Sequence, residues 1–318
     1  MNHKKCRKCT VALILLLCLI FSACGSTDKD WRSLYKKTGT SLAAGSAPTV
    51  GSIGGEWVVI GLSRSDKLSD DFSKKYLNAA SEYVKNIGKN RLHDVKSTEN
   101  SRLILGITAA GGNPTDIGGC NLIQGLTDTD YIKRQGNNGP IWALIAIDCE
   151  NYAIPFESDV TREGLIEIIL SMQCSDGGWG FSGNTSDIDM TAMALQALAP
   201  YIVKANVKSA AEKALQYLSD NQTDNGGFES YGTQNCESCA QVMVALCSLG
   251  IDPQTDERFI KCGNSVLDAL CAFSVDGGFC HQANKPQANQ MATEQAYYAL
   301  TAYHRLKSGK SALYTMYK

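Results

Sequence analysis

The residues best suited to chemistry stand at the starts of apolar helical segments. Asp187 and Asp189 lie one residue apart in the run Ser186-Asp187-Ile188-Asp189-Met190-Thr191-Ala192, and Glu56, Glu237 and Glu294 hold comparable places ahead of other apolar runs. Carboxylates gathered in one place are candidates for acid and base work. Two opposed ones meet the requirement of glycoside hydrolysis, for which Asp189 with Glu294 or Glu56 would qualify. Acids at such positions also have a plainer role, since each can cap free N–H groups and complement a helix dipole for about 0.3–1 kcal/mol. Capping does not account for Trp57, Asn138, Trp142, Gln241 and Gln290 at the same register. Aromatic walls with a few polar groups are the usual form of a small-molecule site. The ligand-binding set expected is therefore Glu56, Trp57, Asn138, Trp142, Asp187, Asp189, Glu237, Gln241, Gln290 and Glu294, with Asp189 and Asp187 as catalytic candidates and Arg102 balancing some of the charge.

These residues need elements that bring them together, and an internal repeat supplies them. Three turns mark it: Asp176-Gly177-Gly178-Trp179, Asn225-Gly226-Gly227-Phe228 and Asp276-Gly277-Gly278-Phe279. Each is followed by an apolar segment in a shared register, Met193 to Leu198, Val244 to Leu249 and Tyr298 to Tyr303, and matching segments run from Trp57, Ile104 and Trp142. Successive copies are 38 to 54 residues apart, a period that signals stacked supersecondary units with a shared core. Between them lie amphipathic segments at 30–43, 69–87, 119–128, 160–173, 207–221 and 258–273; Ala211, Leu215 and Leu218 show the spacing of one helix face. Nothing has the strict alternation of strands. Six apolar helices alternating with six amphipathic ones predict an all-α chain folded as an α6/α6 toroid, an inner ring inside an outer ring. The inner helices would all start at one mouth, where the candidate residues converge.

Gln173 to Trp179 reads Q-x-x-x-G-x-W and Gln222 to Phe228 reads Q-x-x-x-G-x-F. These resemble the QW repeats of squalene–hopene cyclases and the related turns of protein prenyltransferase β subunits; the third copy has Phe273 in the Gln place. The resemblance implies a terpenoid cyclase/prenyltransferase-like toroid in which the glycines permit the turn, the ring anchors neighbouring hairpins and the Gln caps a helix end. The stretch also resembles toroid proteins on the surface of Gram-positive anaerobes. Residues 186–192 resemble the D-x-D-D-T-A motif of class II terpene cyclases, whose middle Asp protonates an alkene. Asp189 falls on that position and Asp187 on the first, while Met190 replaces the final Asp. Squalene cyclases place their cavity between two toroid-type domains, and this chain has the length for one, so binding is expected ahead of cyclisation.

The prenyltransferase resemblance also raises a zinc site. Glu237-Ser238-Cys239 sits where that family has D-x-C, but Gln295 aligns with the expected His. Cys236, Cys239, Cys280 and His281 have the right ligand types for an alternative set, yet Cys at this helical spacing is more often packing; no metal and no cofactor is expected. The small β domain of transcobalamin-like proteins and the thioester motif of complement-type toroids are absent, as are a Walker loop, G-x-G-x-x-G, G-x-S-x-G and H-E-x-x-H.

The N-terminus reads as an export signal. A basic stretch, 1–10, runs into the apolar run 11–21 and then Ser22-Ala23-Cys24, too short to span a bilayer and ending in small residues. Phe21 to Cys24 resembles the lipobox of bacterial lipoproteins, which implies a signal peptide at 1–23, a lipid on Cys24, a polar tether at 24–30 and the toroid at 31–318. The expected location is extracytoplasmic, lipid-anchored to the cell membrane. Of 13 cysteines, nine remain beyond the signal, and they read as mostly reduced packing residues. The chain has 30 Lys and Arg against 32 Asp and Glu; without the four cations of 1–23 the balance is 26 against 32. That excludes the basic surface nucleic-acid binding requires. The partners expected are a small or extended ligand in the mouth and the membrane.

Overall fold

The structure, a computed structural model, describes residues 30–51, 55–183, 185–230 and 232–317. The signal segment, the Ser22-Ala23-Cys24 junction and the tether up to Lys29 lie outside the described residues. The unit Trp31–Lys318 carries twelve α-helices among the described residues. They are α1 Trp31–Ala43, α2 Gly55–Arg64, α3 Asp70–Ile87, α4 Ser97–Ala109, α5 Thr129–Lys133, α6 Asn138–Asp148, α7 Arg162–Ser171, α8 Ile188–Leu198, α9 Ala205–Asp220, α10 Cys236–Ser248, α11 Val266–Ala272 and α12 Gln290–Lys307. No helix among them is long and apolar enough to cross a membrane.

Six of these form a closed inner ring. Helices α2, α4, α6, α8, α10 and α12 each pack on the next, and α12 returns onto α2. Helices α3, α5, α7, α9 and α11 lie outside, on α4, α6, α6, α8 and α10 respectively, and α1 lies on α12. Burial follows the sequence pattern. Every residue of α10 from Cys236 to Cys247 is buried, whereas α9 buries only one face, including Ala211, Leu215 and Leu218. A helix apolar all round must be covered on all sides, and the outer layer covers it.

Two of the expected outer helices are broken. Over 119–128 stands only the 3-10 turn Gln124–Leu126, with α5 beginning after the Asp128 cap. Gly118 and Gly119 take positive φ, and a side chain at Gly125 would collide with the Asn90 carbonyl and the Asn100 amide, so no regular outer helix fits there. Over 258–273, β3 Ile260–Lys261 pairs antiparallel with β4 Asn264–Ser265, and α11 starts only at the capping box of Ser265 and Asp268. Two similar ribbons join β1 Glu229–Ser230 to β2 Thr233–Gln234 and β5 Ser274–Val275 to β6 Gly278–Phe279. They are turns of the repeat, not a sheet layer.

The repeat turn has a defined job. Gly177, Gly226 and Gly277 adopt φ of 91°, 82° and 87°, the left-handed region that favours glycine. The Gln173 side-chain amide donates to the Gly177 carbonyl at 2.7 Å and to the Ala210 carbonyl of α9 at 2.9 Å. Gln222 does the same to Gly226 and Phe259 at 2.9 and 3.0 Å. Each Gln thus ties its own turn to the next outer segment. Trp179, fully buried, donates from Nε1 to the Ile169 carbonyl at 2.6 Å, while Thr191 Oγ1 accepts from the Trp179 N–H at 2.9 Å. Thr293 accepts from Phe279 N–H at the same distance. The Thr of the Asp-Met-Thr run therefore locks turn to inner helix.

Truncating this anchor tests the account. Trp179→Ala should destabilise the protein by about 3–5 kcal/mol in urea titration. Trp179→Phe should cost less, since an aromatic ring remains and the losses are the Ile169 bond and part of the ring volume.

Candidate functional site

The first turns of the inner helices surround a cavity of about 590 Å³. Its lining falls into i,i+4 pairs that share a helix face: Thr98 and Arg102 on α4, Asn138 and Trp142 on α6, Asp189 and Met193 on α8, Glu237 and Gln241 on α10, Met291 and Gln295 on α12. Trp57 of α2 completes the ring, and Ser230, Thr233, Asn235, His281 and Gln282 add the rim. The rings of Trp57 and Trp142 stand 5.2 Å apart and tilted by 46°. Below them a polar floor closes the cavity. Gln241 donates to the Tyr298 hydroxyl at 2.6 Å and to Gln295 at 3.2 Å, and Gln196 donates to the Gln241 side chain at 3.0 Å.

The sequence-predicted residues divide. Trp57, Asn138, Trp142, Asp189, Glu237, Gln241 and Arg102 line the cavity. Asp187 does not: it caps α8, accepting from Met190 N–H at 3.0 Å and from the Ser230 hydroxyl at 2.9 Å. Glu56 is fully buried behind the lining, paired with Arg102 at 2.9 Å. Burial raises its carboxyl despite that cation. On α12 the cavity faces are Met291 and Gln295, one residue beyond Gln290 and Glu294, and each residue along a helix turns by about 100°. Gln290 is exposed and donates to Glu294 at 2.9 Å. Glu294 is buried, and burial, with the Glu56 charge adding to it, pushes its carboxyl up to about 7.

Within the cavity, Asp189 is pushed up to about 6 by burial, reinforced by the Asp187 and Glu237 charges and partly offset by Ser238. Glu237 meets His281 Nδ1 at 2.7 Å through Oε2. Among the described residues three buried acceptors of the lining, Asn138 Oδ1, Asp189 Oδ1 and Glu237 Oε1, lack a well-aligned donor, with the Ser238 hydroxyl beside Asp189. Arg102 is engaged by Glu99 at 2.6 Å as well as by Glu56.

The candidate zinc set is not assembled for a metal. Burial pushes the Cys239 thiol up to about 12 and raises Cys236 well above its usual value. Cys280 donates to the Phe273 carbonyl at 3.2 Å, and His281 faces Glu237. Among the described residues no group of three His, Cys, Asp or Glu is arranged to hold a metal ion. Of the nine cysteines from Cys120 to Cys280, eight are buried and Cys262 is exposed.

Sequence reasoning missed Thr98, Met193, Ser230, Thr233, Asn235, Gln282, Met291 and Gln295 as lining. The i,i+4 partner of each named residue was the available signal for Met193; the rim residues come from turns whose reach only the fold fixes. The opposite end of the ring holds a second cavity of about 490 Å³, lined by Gln196, Tyr201 and Tyr314 among others. Segment 311–317 crosses this end, with Arg64 Nη2 donating to the Ala312 and Thr315 carbonyls at 3.1 and 2.7 Å. Tyr314 sets its ring 5.9 Å from Trp142.

Comparison with known proteins bears on the same ring. A family model for the prenyltransferase alpha-alpha toroid domain matches residues 131–312, more than half of the chain. A search of curated proteins finds no match.

Glu294 gives a pH prediction. Its carboxyl rises from an ordinary 4.5 to about 7 in the folded protein, so the folded state holds a proton the unfolded state releases between those values. Stability from this group is full below about 4.5 and lost as pH rises through about 7. Glu294→Gln should match the wild type near pH 4 and exceed it by about 1–3 kcal/mol at pH 8, read by urea titration at both values.

Proposed function

We propose that this chain, which belongs to the prenyltransferase α/α-toroid family, is a lipid-anchored extracytoplasmic protein that binds a small or extended ligand in the cavity at the N-terminal mouth of its inner ring. The observation that carries the reading is a cavity of about 590 Å³ walled by Trp57 and Trp142 and holding buried acceptors that lack a well-aligned donor. A volume of that size lies within the range of small-molecule sites. Segment 311–317 packs across the far end, held by Arg64, and the cavity is entered from the side where the inner helices begin. Attachment rests on Phe21-Ser22-Ala23-Cys24 after an apolar run.

A second reading has one observation in its favour. Asp189, raised to about 6, is a carboxyl suited to general-acid work in a cyclase-like reaction. Met190 stands in place of the neighbouring acid, and Asp187 caps α8 and does not line the cavity, so binding stands first.

Two measurements test the reading. Native mass spectrometry of the purified chain should reveal a co-purifying ligand, and Trp57→Ala or Trp142→Ala should weaken its retention by more than Asp189→Asn does. If Asp189→Asn instead abolishes turnover of a polyprenyl substrate with binding unchanged, the enzyme reading replaces it. For attachment, labelled fatty acid should enter the wild-type protein and not the Cys24→Ala variant; no label in the wild type refutes the anchor.

A further inference from the structure

Resting on that reading of the mouth as a ligand site, we infer that its occupant is an organic cation bearing N–H donors, an ammonium or guanidinium compound set against Trp57 and Trp142 and held by Asn138, Asp189 and Glu237.

Apart from Arg102 Nε, which is ion-paired with Glu56 at 2.9 Å, the unsatisfied buried atoms of the lining among the described residues are acceptors. Asn138 Oδ1, Asp189 Oδ1 and Glu237 Oε1 lack a well-aligned donor, and the Glu237 side chain is only 10% exposed. A buried acceptor left bare is costly, so a ligand rich in donors is what the site lacks. The charges point the same way. The lining guanidinium of Arg102 is held by Glu56 and Glu99, neither of which lines the cavity, and His281 Nδ1 meets Glu237 Oε2 at 2.7 Å. Asp189 has no cationic partner. The aromatic pair supplies faces on which a cation is attracted by the ring quadrupole.

The competing ligand chemistries fit less well. A diphosphate would need free donors, yet the N-termini of α8, α10 and α12 are already occupied by the side chains of Asp187, Asn235 and Asn289. A neutral polyol could reach the acceptors but would leave the like charges of Asp189 and Glu237 unrelieved. An N–H-bearing cation answers both needs.

The site should also respond to pH. Asp187, Glu237, Cys239 and Tyr298 surround Asp189 electrostatically, and Arg102 and His281 also line the cavity. Asp189 loses its charge as pH falls through about 6. A bound cation favours the ionised carboxylate, so affinity should fall in the same direction.

Calorimetric titration of the full chain with agmatine, which carries both an ammonium and a guanidinium group, tests the assignment. Agmatine should bind, with Glu237→Gln weakening it at least about tenfold, the loss expected of a charge-assisted hydrogen bond. Choline, a cation without N–H, should bind at least about tenfold more weakly than agmatine by the same reasoning. Wild-type affinity should drop between pH 7.5 and pH 5, and Asp189→Asn should flatten that dependence, a readout that a folding defect would not imitate. Equal binding of choline and agmatine, or indifference to Glu237→Gln, overturns the donor assignment. Binding of maltotriose or farnesyl diphosphate that Trp57→Ala abolishes, with agmatine silent, overturns the ligand class and leaves the pocket standing. Silence from all four probes with no co-purifying ligand overturns both.

Discussion

A ring of helices holds together only if its last member returns to its first, and here that closure rests on one tyrosine. Tyr297 of α12 lies over Gly61 of α2 and Gly39 of α1; a Cβ at Gly61 would meet its ring at 2.9 Å. Its hydroxyl is 2.6 Å from Ser65 Oγ, and Arg305 donates to the Arg64 carbonyl at 2.8 Å further along the seam. The glycines let two helices approach closely enough for an aromatic side chain to fill the gap between three. Without that approach the ring would open at α12 and α2, and Tyr298, whose ring stands 5.9 Å from Trp57, would no longer meet the other side of the cavity floor.

Closure fixes what each inner helix shows to the centre. With six neighbours packed in a circle, only one narrow face of each is left pointing inward, and on an α-helix that face is a run of i and i+4 residues. The lining pairs follow from this constraint alone. The same constraint leaves two ends to the ring, and the chain treats them differently. One is crossed by Ser311–Tyr317, tied to Arg64 and to Arg305, which donates to the Ser311 carbonyl at 2.7 Å. The other is left to polar side chains and two tryptophans.

Much of this was readable from residues. The glycine turns and the shared apolar register gave the inner ring, and Trp57, Trp142, Asp189, Glu237 and Gln241 could be placed at the mouth by counting from it. On α12 the reading selected Gln290 and Glu294, one residue short of Met291 and Gln295, which stand eight and four residues before Ala299 as Glu237 and Gln241 stand before Ala245. The broken outer positions were hidden because amphipathic spacing persists in Gln124 to Leu126 even where Gly125 has no room for a helix. The crossing of the far end by 311–317 depends on arginine side chains reaching carbonyls some 250 residues away in sequence, which no local pattern encodes.

The acidity of the mouth comes from a division of labour two residues apart. In α8, Asp187 takes the cap and Asp189, two residues further on, faces the cavity; in α10, Asn235 takes the cap and Glu237 faces the cavity. In α12 the cap is Asn289 and the cavity residue is Met291. Because the cap already satisfies the helix end, the second residue is released from that duty and its chemistry is free to vary. Two of the three positions carry a carboxylate and the third a thioether, while α2 and α6 contribute indoles. The mouth is thereby polarised, acidic along α8 and α10 and apolar along α12, α2 and α6. Burial then acts on the acids alone: it raises Asp189 and leaves the aromatic wall unaffected. A ligand that neutralises one side while lying against the other is the arrangement such a polarised ring is shaped to hold.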